Sequence, residues 1–185
     1  FDEDPRPPFR FVTAGVAPTH AAMIHKPLYH GCIDAHGAVP SPDGRLLAYL
    51  TWGEPEADFS LPWTLHLRDL STGNETTHRL TETWENAEVH FFSPDGNRVL
   101  LTVSRRTANG DYQTELLVID LDTQTEQSIY AADYNAKPYF TPRAWSSGDW
   151  LILTSDADYS TWVMRPDGGS LTQITSLNWV GLLQP

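Results

Sequence analysis

Phe91-Phe92-Ser93-Pro94-Asp95-Gly96-Asn97-Arg98-Val99-Leu100-Leu101-Thr102 reads as a strand, a tight turn and a second strand. Pro94 sets the φ that the first central position of a turn needs. Asp95 can bond back to the local backbone, and Gly96 takes the positive φ that a side chain resists. The phrase recurs at residues 39–50 as Val-Pro-Ser-Pro-Asp-Gly-Arg-Leu-Leu-Ala-Tyr-Leu. It recurs in eroded form at residues 144–153 as Ala-Trp-Ser-Ser-Gly-Asp-Trp-Leu-Ile-Leu. The shared serines, Ser41, Ser93 and Ser146, are 52 and 53 residues apart. Self-similarity at roughly this period marks a solenoid, a propeller or an array.

Between one turn and the next, each period holds four short strands. In the first unit they are a strand before Ser41, then residues 46–52, 64–70 and 76–81. In the second they are 88–92, 98–104, 115–121 and 125–130; in the third, 142–145, 150–155, 161–165 and 171–175. The second strand of each unit is apolar on both faces (Leu46-Leu47-Ala48-Tyr49-Leu50; Val99-Leu100-Leu101; Leu151-Ile152-Leu153), as in a sheet covered on both sides. The fourth strand is polar at alternate positions, as an outer strand is. Repeated four-stranded antiparallel sheets with buried inner strands and a wet outer edge predict an all-β fold, a β-propeller.

The blades are expected at about residues 36–81, 87–130 and 141–175. They belong to one domain over residues 9–185, preceded by an extended acidic, proline-rich arm at residues 1–8. Residues 9–35 and 177–185 supply further terminal strands. Leu182-Leu183-Gln184-Pro185 stands where Phe91-Phe92-Ser93-Pro94 stands in the second unit, and residues 9–16 alternate well enough to be the strand that would follow. The two ends are therefore expected to share a fourth blade, within one chain or between chains, because open ends leave unpaired edges.

Composition narrows the partners. The net charge of −12, from 24 acidic and 12 basic side chains, argues against a nucleic-acid or anionic-membrane partner. No run of 18 apolar residues suggests membrane insertion. A single cysteine, Cys32, makes no intramolecular disulfide. With Phe1 in first place and no signal peptide in view, the chain reads as a mature product or a piece of something longer. Asn74-Glu75-Thr76 is a glycosylation sequon on a Gly-Asn turn, meaningful for a protein secreted by a eukaryote.

Ser-Pro-Asp-Gly at residues 41–44 and 93–96, Leu67-Arg68-Asp69-Leu70, Val118-Ile119-Asp120-Leu121, and the closing Arg79-Leu80-Thr81 and Gln173-Ile174-Thr175 together resemble the WD-like repeat of the TolB family of β-propellers. The resemblance covers about residues 36–176. It implies a propeller, although family members carry more blades than the three read here. It also implies a periplasmic, cell-surface or secreted location. The same repeat serves protein-binding modules, sensor domains, the gating propellers of prolyl oligopeptidases and the oligogalacturonate lyases.

The aspartates of the Ser-Pro-Asp-Gly turns are turn formers and receive no catalytic role. No Gly-x-Ser-x-Gly elbow or hydrolase domain is present, so serine hydrolysis finds no support. His36, Glu88 and His90 lie on the strands that lead into the turns, the innermost strands of a propeller, and Arg143 is the comparable residue of the third unit. These four are the candidates for holding a polar ligand or ion in the channel. His30, Asp34 and His36, with His25 nearby, form the densest group of metal-capable side chains, and lyases resembling this family hold a divalent ion with histidines. Their spacing fits no standard zinc pattern. Glu54, Glu56 and Asp58, followed by Phe59, Leu61, Pro62 and Trp63, form an acidic-aromatic loop that could present a binding surface.

The functional expectation is a non-catalytic scaffold, with no cofactor of its own beyond a possible divalent cation. Its loops or central funnel would bind a protein partner, a second copy of itself, or a small polar ligand or saccharide. One alternative is a divalent-metal-dependent polysaccharide lyase of the oligogalacturonate type, which requires His30, His36 and His90 to converge. The other is a structural subunit that assembles by exchange of a terminal strand.

Overall fold

The structure, a computed structural model, describes residues 36–55, 60–107, 109–133 and 138–175, with the backbone alone described for His36. Twelve strands fall into three sheets. The first blade is β1 (His36–Pro40), β2 (Leu46–Trp52), β3 (Trp63–Asp69) and β4 (Glu75–Arg79). The second is β5 (Asn86–Phe92), β6 (Arg98–Arg106), β7 (Tyr112–Asp120) and β8 (Thr125–Asp133). The third is β9 (Phe140–Trp145), β10 (Leu151–Ser155), β11 (Thr161–Met164) and β12 (Thr172–Thr175). Each sheet takes its strands in chain order, every pair antiparallel. The arm at 1–8, the strands expected over 9–35 and 177–185, and the shared fourth blade lie outside the described residues.

The repeated turn works as its residue types require. Gly44 N donates to Ser41 O at 2.9 Å, and Ser41 Oγ donates to Asp43 Oδ1 at 2.6 Å while accepting from Leu46 N at 2.8 Å. Ser93, Asp95, Gly96 and Arg98 repeat these bonds in the second blade. In the third blade Asp149 stands in the glycine's place, at φ 59°, and its N–H donates to Ser146 O at 3.0 Å. Asp is among the few side chains that tolerate the left-handed region.

A second carboxylate closes the β3–β4 hairpin. Asp69 Oδ1 accepts from Ser71 N, Ser71 Oγ and Thr72 N, and Asp120 does the same one blade later with Asp122 and Thr123. The Ser71 hydroxyl, followed by the Thr72 amide, holds the Asp69 carboxyl down to about 2. Asp43, Asp95 and Asp120 are lowered by the same kinds of bond. A lowered folded-state pKa means stability that is complete above the unfolded value of about 3.9 and is lost as pH falls through the folded one. The urea midpoint should therefore fall between about pH 4 and pH 2, and Asp69→Ala should flatten that slope. A midpoint constant across this window in the parent chain would show that these bonds are absent.

Packing explains why the second blade tolerates apolar residues on both faces. Along β6 and β7, Val99, Leu101, Val103, Leu117 and Ile119 join Ala48, Leu50, Trp63 and Leu65 in the core between blades one and two. Leu100, Leu116 and Val118 turn the other way, into a second core with Phe140, Leu151, Leu153 and Met164. Neighbouring residues of a strand point to opposite faces, so one sheet feeds two cores. Fully burying each such side chain is worth roughly 1.5–3 kcal/mol.

Blade one departs from this pattern. Ala48 and Leu50 of β2 enter the core, but on its other face Tyr49, Thr51 and His66 form a polar network with Glu75 rather than an apolar layer. The loop reading also changes. Trp63 is 1% exposed, begins β3 and donates its indole N–H to Trp84 O, while Leu61 bridges to Trp84. Its aromatic end is core rather than a presented surface, and residues 56–59 lie outside the described residues.

Candidate functional site

The first strands of successive blades run side by side, β1 against β5 and β5 against β9. The approach is close at Gly37, whose φ is +62° and where a Cβ would sit 3.3 Å from Val89 O. Each of these strands carries a register shift against its partner. On β5 it falls between Val89 and Phe91, which leaves His90 as the extra residue. On β9 it falls opposite Ile152 and Leu153, between Pro142 and Ala144, which leaves Arg143. A β-bulge re-aims the side chain it inserts, so blades two and three each turn one polar residue out of the ladder at the same position.

Both inserted side chains are anchored alike. His90 Nε2 and Thr102 Oγ1 share a hydrogen bond of 2.7 Å, and Arg143 Nε donates to Thr154 Oγ1 at 3.2 Å. Thr102 and Thr154 occupy matching positions on β6 and β10, three residues after Val99 and Leu151. Thr154 is 3% exposed, so the hydroxyl that holds Arg143 is fixed by its surroundings. Glu88, two residues before His90, brings Oε2 to 4.0 Å from His90 Nε2 and keeps its own side chain 58% exposed. Burial lowers the His90 pKa below the ordinary imidazole value; the Glu88 charge opposes this and the Arg143 charge adds to it. The imidazole thus lies between an exposed anion and an exposed cation, and burial favours its neutral form.

Of the four residues expected to line the channel, Glu88, His90 and Arg143 come together. His36 is the first residue of β1, paired with Leu50, and its side chain lies outside the described residues. His30 and Asp34 also lie outside them. Among the described residues no three His, Cys, Asp or Glu side chains converge as a metal site.

Sequence reasoning missed the threonines, although a polar residue closing an apolar run (Leu100-Leu101-Thr102; Leu153-Thr154) is a visible signal. It also missed the network on blade one. There His66 bonds Thr51 Oγ1 at 2.8 Å and Glu75 Oε1 at 3.0 Å, stacks on Tyr49 at 4.8 Å, and Tyr49 donates to Glu75 Oε2 at 2.6 Å. A further polar clasp joins blades one and two, where Glu126 Oε1 accepts from Thr81 N and pairs with His78 Nε2. On the turn side of the blades, matching grooves of about 570 and 380 Å³ separate blade one from two and blade two from three. Their carboxylates Asp43, Asp69, Asp95 and Asp120 are already engaged in closing turns.

Solved structures share this arrangement of blades. TolB from Acinetobacter baumannii matches at 23% identity and a TM-score of 0.52, over 77% of this chain and 32% of its own. The fold is a TolB-like β-propeller. The propeller domain of the Trilobed protease from Pyrococcus furiosus, described as having an open velcro topology, matches at 16% identity and a TM-score of 0.52, over 78% of this chain and 45% of its own. Oligogalacturonate lyase from Vibrio parahaemolyticus matches at 14% identity and a TM-score of 0.56, over 78% and 41%. The chain thus spans 32 to 45% of the length of these structures. No family model and no curated protein matches the sequence. No helix of the described residues is long and apolar enough to cross a membrane.

Proposed function

We propose that the chain acts as a non-catalytic β-propeller scaffold, outside the cytoplasm, that binds a protein or a small polar ligand along its innermost strands. The observation that carries this reading is the pair of matched bulges. At one position in two successive blades the ladder gives up a residue, and in both that residue is a polar side chain anchored by a threonine. Breaking a ladder costs hydrogen bonds, and functional side chains are often aimed by such bulges. Along β6 and β7 both faces are consumed by packing between blades. The structural neighbours, which include the propeller domain of a protease and a lyase, share the fold and name no function for this chain.

The test is a titration of isotopically labelled protein with small polar solutes (amino acids, N-acetylated amino acids and their amides, neutral sugars, uronic acids), read by NMR. Saturable shifts at His90, Glu88 and Arg143 with no change in the solute are expected. Solutes that perturb only residues elsewhere would overturn the assignment of the site. Release of unsaturated product from a uronate polymer in the presence of a divalent ion would replace the scaffold reading with that of a lyase.

A further inference from the structure

Arg143 differs from the other arginines of its neighbourhood. Arg98 pairs with Asp149 at 2.9 Å and lies over Trp145; Arg105 pairs with Glu82, and Arg106 with Glu85 at 3.9 Å. Arg165 lies over Trp150 and donates to the Gly148 and Asp149 carbonyls. Arg143 is bonded through Nε alone, to Thr154, and its guanidinium meets no carboxylate among the described residues. Arg79 on β4 is likewise exposed without a carboxylate among the described residues, so in this chain of net charge −12 Arg143 is set apart by its place on an inner strand, at a bulge.

Holding Nε leaves the two Nη groups as the free edge of the fork. That edge presents parallel N–H donors, which suit two oxygens in one plane. The Arg143 charge reaches His90, whose Nε2 is committed to Thr102 and whose Nδ1 bonds no described residue. We propose, building on the scaffold reading above, that Arg143 and His90 together form a receptor for one carboxylate group of the ligand. Carboxylate is favoured over phosphate by Glu88, which stands 4.0 Å from His90 and would repel a phosphate monoester carrying about −1.5 to −2 charge more strongly than a single carboxylate. The same chemistry is offered by a peptide carboxylate and by a uronic acid, and the probes below separate the two.

A proton is linked to this binding. The charged groups facing His90 are Glu88 on its own strand and Arg143 on β9. Thr102 on β6 is uncharged, and the one titratable residue of β1 is His36. In the free protein, burial and Arg143 favour the neutral ring. A bound carboxylate brings one negative charge, which offsets the influence of Arg143 on His90, so the bound protein holds the proton to higher pH. Affinity then rises as pH falls from the bound-state pKa to the free-state pKa, and levels off below both.

The experiment follows the His90 ring resonances of the whole chain by NMR between pH 5 and 8, with N-acetylglycine, N-acetylglycinamide, galacturonate and inorganic phosphate as probes. N-acetylglycine is expected to bind saturably, to raise the His90 titration midpoint, and to bind more tightly at pH 5.5 than at pH 7.5. Arg143→Lys keeps a charge but loses the fork, and should weaken binding about tenfold. Glu88→Gln removes the repelling charge and should tighten it. Galacturonate binding better than N-acetylglycine assigns a saccharide source, and the reverse assigns a peptide source; either outcome supports the receptor. Equal binding of acid and amide, preference for phosphate, or indifference to Arg143→Lys overturns the carboxylate receptor while leaving the scaffold reading in place. Silence of His90, Glu88 and Arg143 to every probe overturns both.

Discussion

Gly168→Ala is expected to destabilise the protein by about 2–5 kcal/mol, the sum of a left-handed backbone penalty and an overpacking cost. Gly168 sits at φ +86° in the turn after β11, where its N–H donates to Arg165 O at 2.9 Å. A Cβ there would lie 2.6 Å from Ile129 O and 3.4 Å from Ile129 C and Cα. These are backbone atoms of β8, in the preceding blade, and they cannot swing aside as a side-chain tip could. Gly44 supplies the control. It has a similar φ of +70° in the repeated turn, with nothing within 4 Å of the position a Cβ would take. Gly44→Ala should cost only the backbone part, about 1–2 kcal/mol. Urea denaturation of both variants at unchanged m isolates the difference, and equal losses would show that the turn of blade three does not press on blade two.

That contact also marks where the sequence stops being legible. Turns and strand cores are local, so they can be read. Ser-Pro-Asp-Gly specifies its own geometry, and an apolar run bounded by such turns gives β2 at Leu46–Trp52, with β6 and β10 beginning within a residue of their expected starts. Strand ends were less legible because pairing decides them. β7 begins at Tyr112, ahead of its apolar core, because β6 runs on to Arg106 and supplies a partner for each added residue. Trp63 looked like part of a loop because its neighbours are acidic and proline-rich. Its burial comes from Trp84, 21 residues further along the chain, and no local pattern announces it.

The candidate site was half legible for a similar reason. Equivalent positions in the repeat placed His90 and Arg143 together on inner strands, because repeat arithmetic survives without coordinates. What aims them was not readable: a bulge leaves no mark on composition, and Thr102 and Thr154 become anchors only once β5 lies against β6 and β9 against β10. The polar network on blade one was hidden differently. Tyr49, Thr51 and His66 occupy the face that in blade two carries Leu101, Val103 and Leu117, and only register reveals the substitution.

The division of one sheet between two cores makes a second large effect testable residue by residue. Leu100 and Leu101 are adjacent, and both are 0% exposed, but Leu100 packs with Phe140, Leu151 and Leu153 of blade three while Leu101 packs with Ala48, Leu50 and Leu65 of blade one. Leu→Ala at either position should cost about 2–5 kcal/mol, from lost transfer energy and the cavity left behind. Repeat arrays are held by nearest-neighbour interfaces, so the damage should travel in opposite directions. Leu100→Ala should speed amide hydrogen exchange most in β10 and β11, and Leu101→Ala most in β2 and β3. If both variants loosen the same blade, the assignment of alternate β6 side chains to separate cores is wrong. If they loosen opposite blades, blade two is the element that holds the other two in register. The spacing between its bulged His90 and the Arg143 of the next blade then depends on the Leu100 core, so Leu100→Ala should disturb the His90 titration more than Leu101→Ala does.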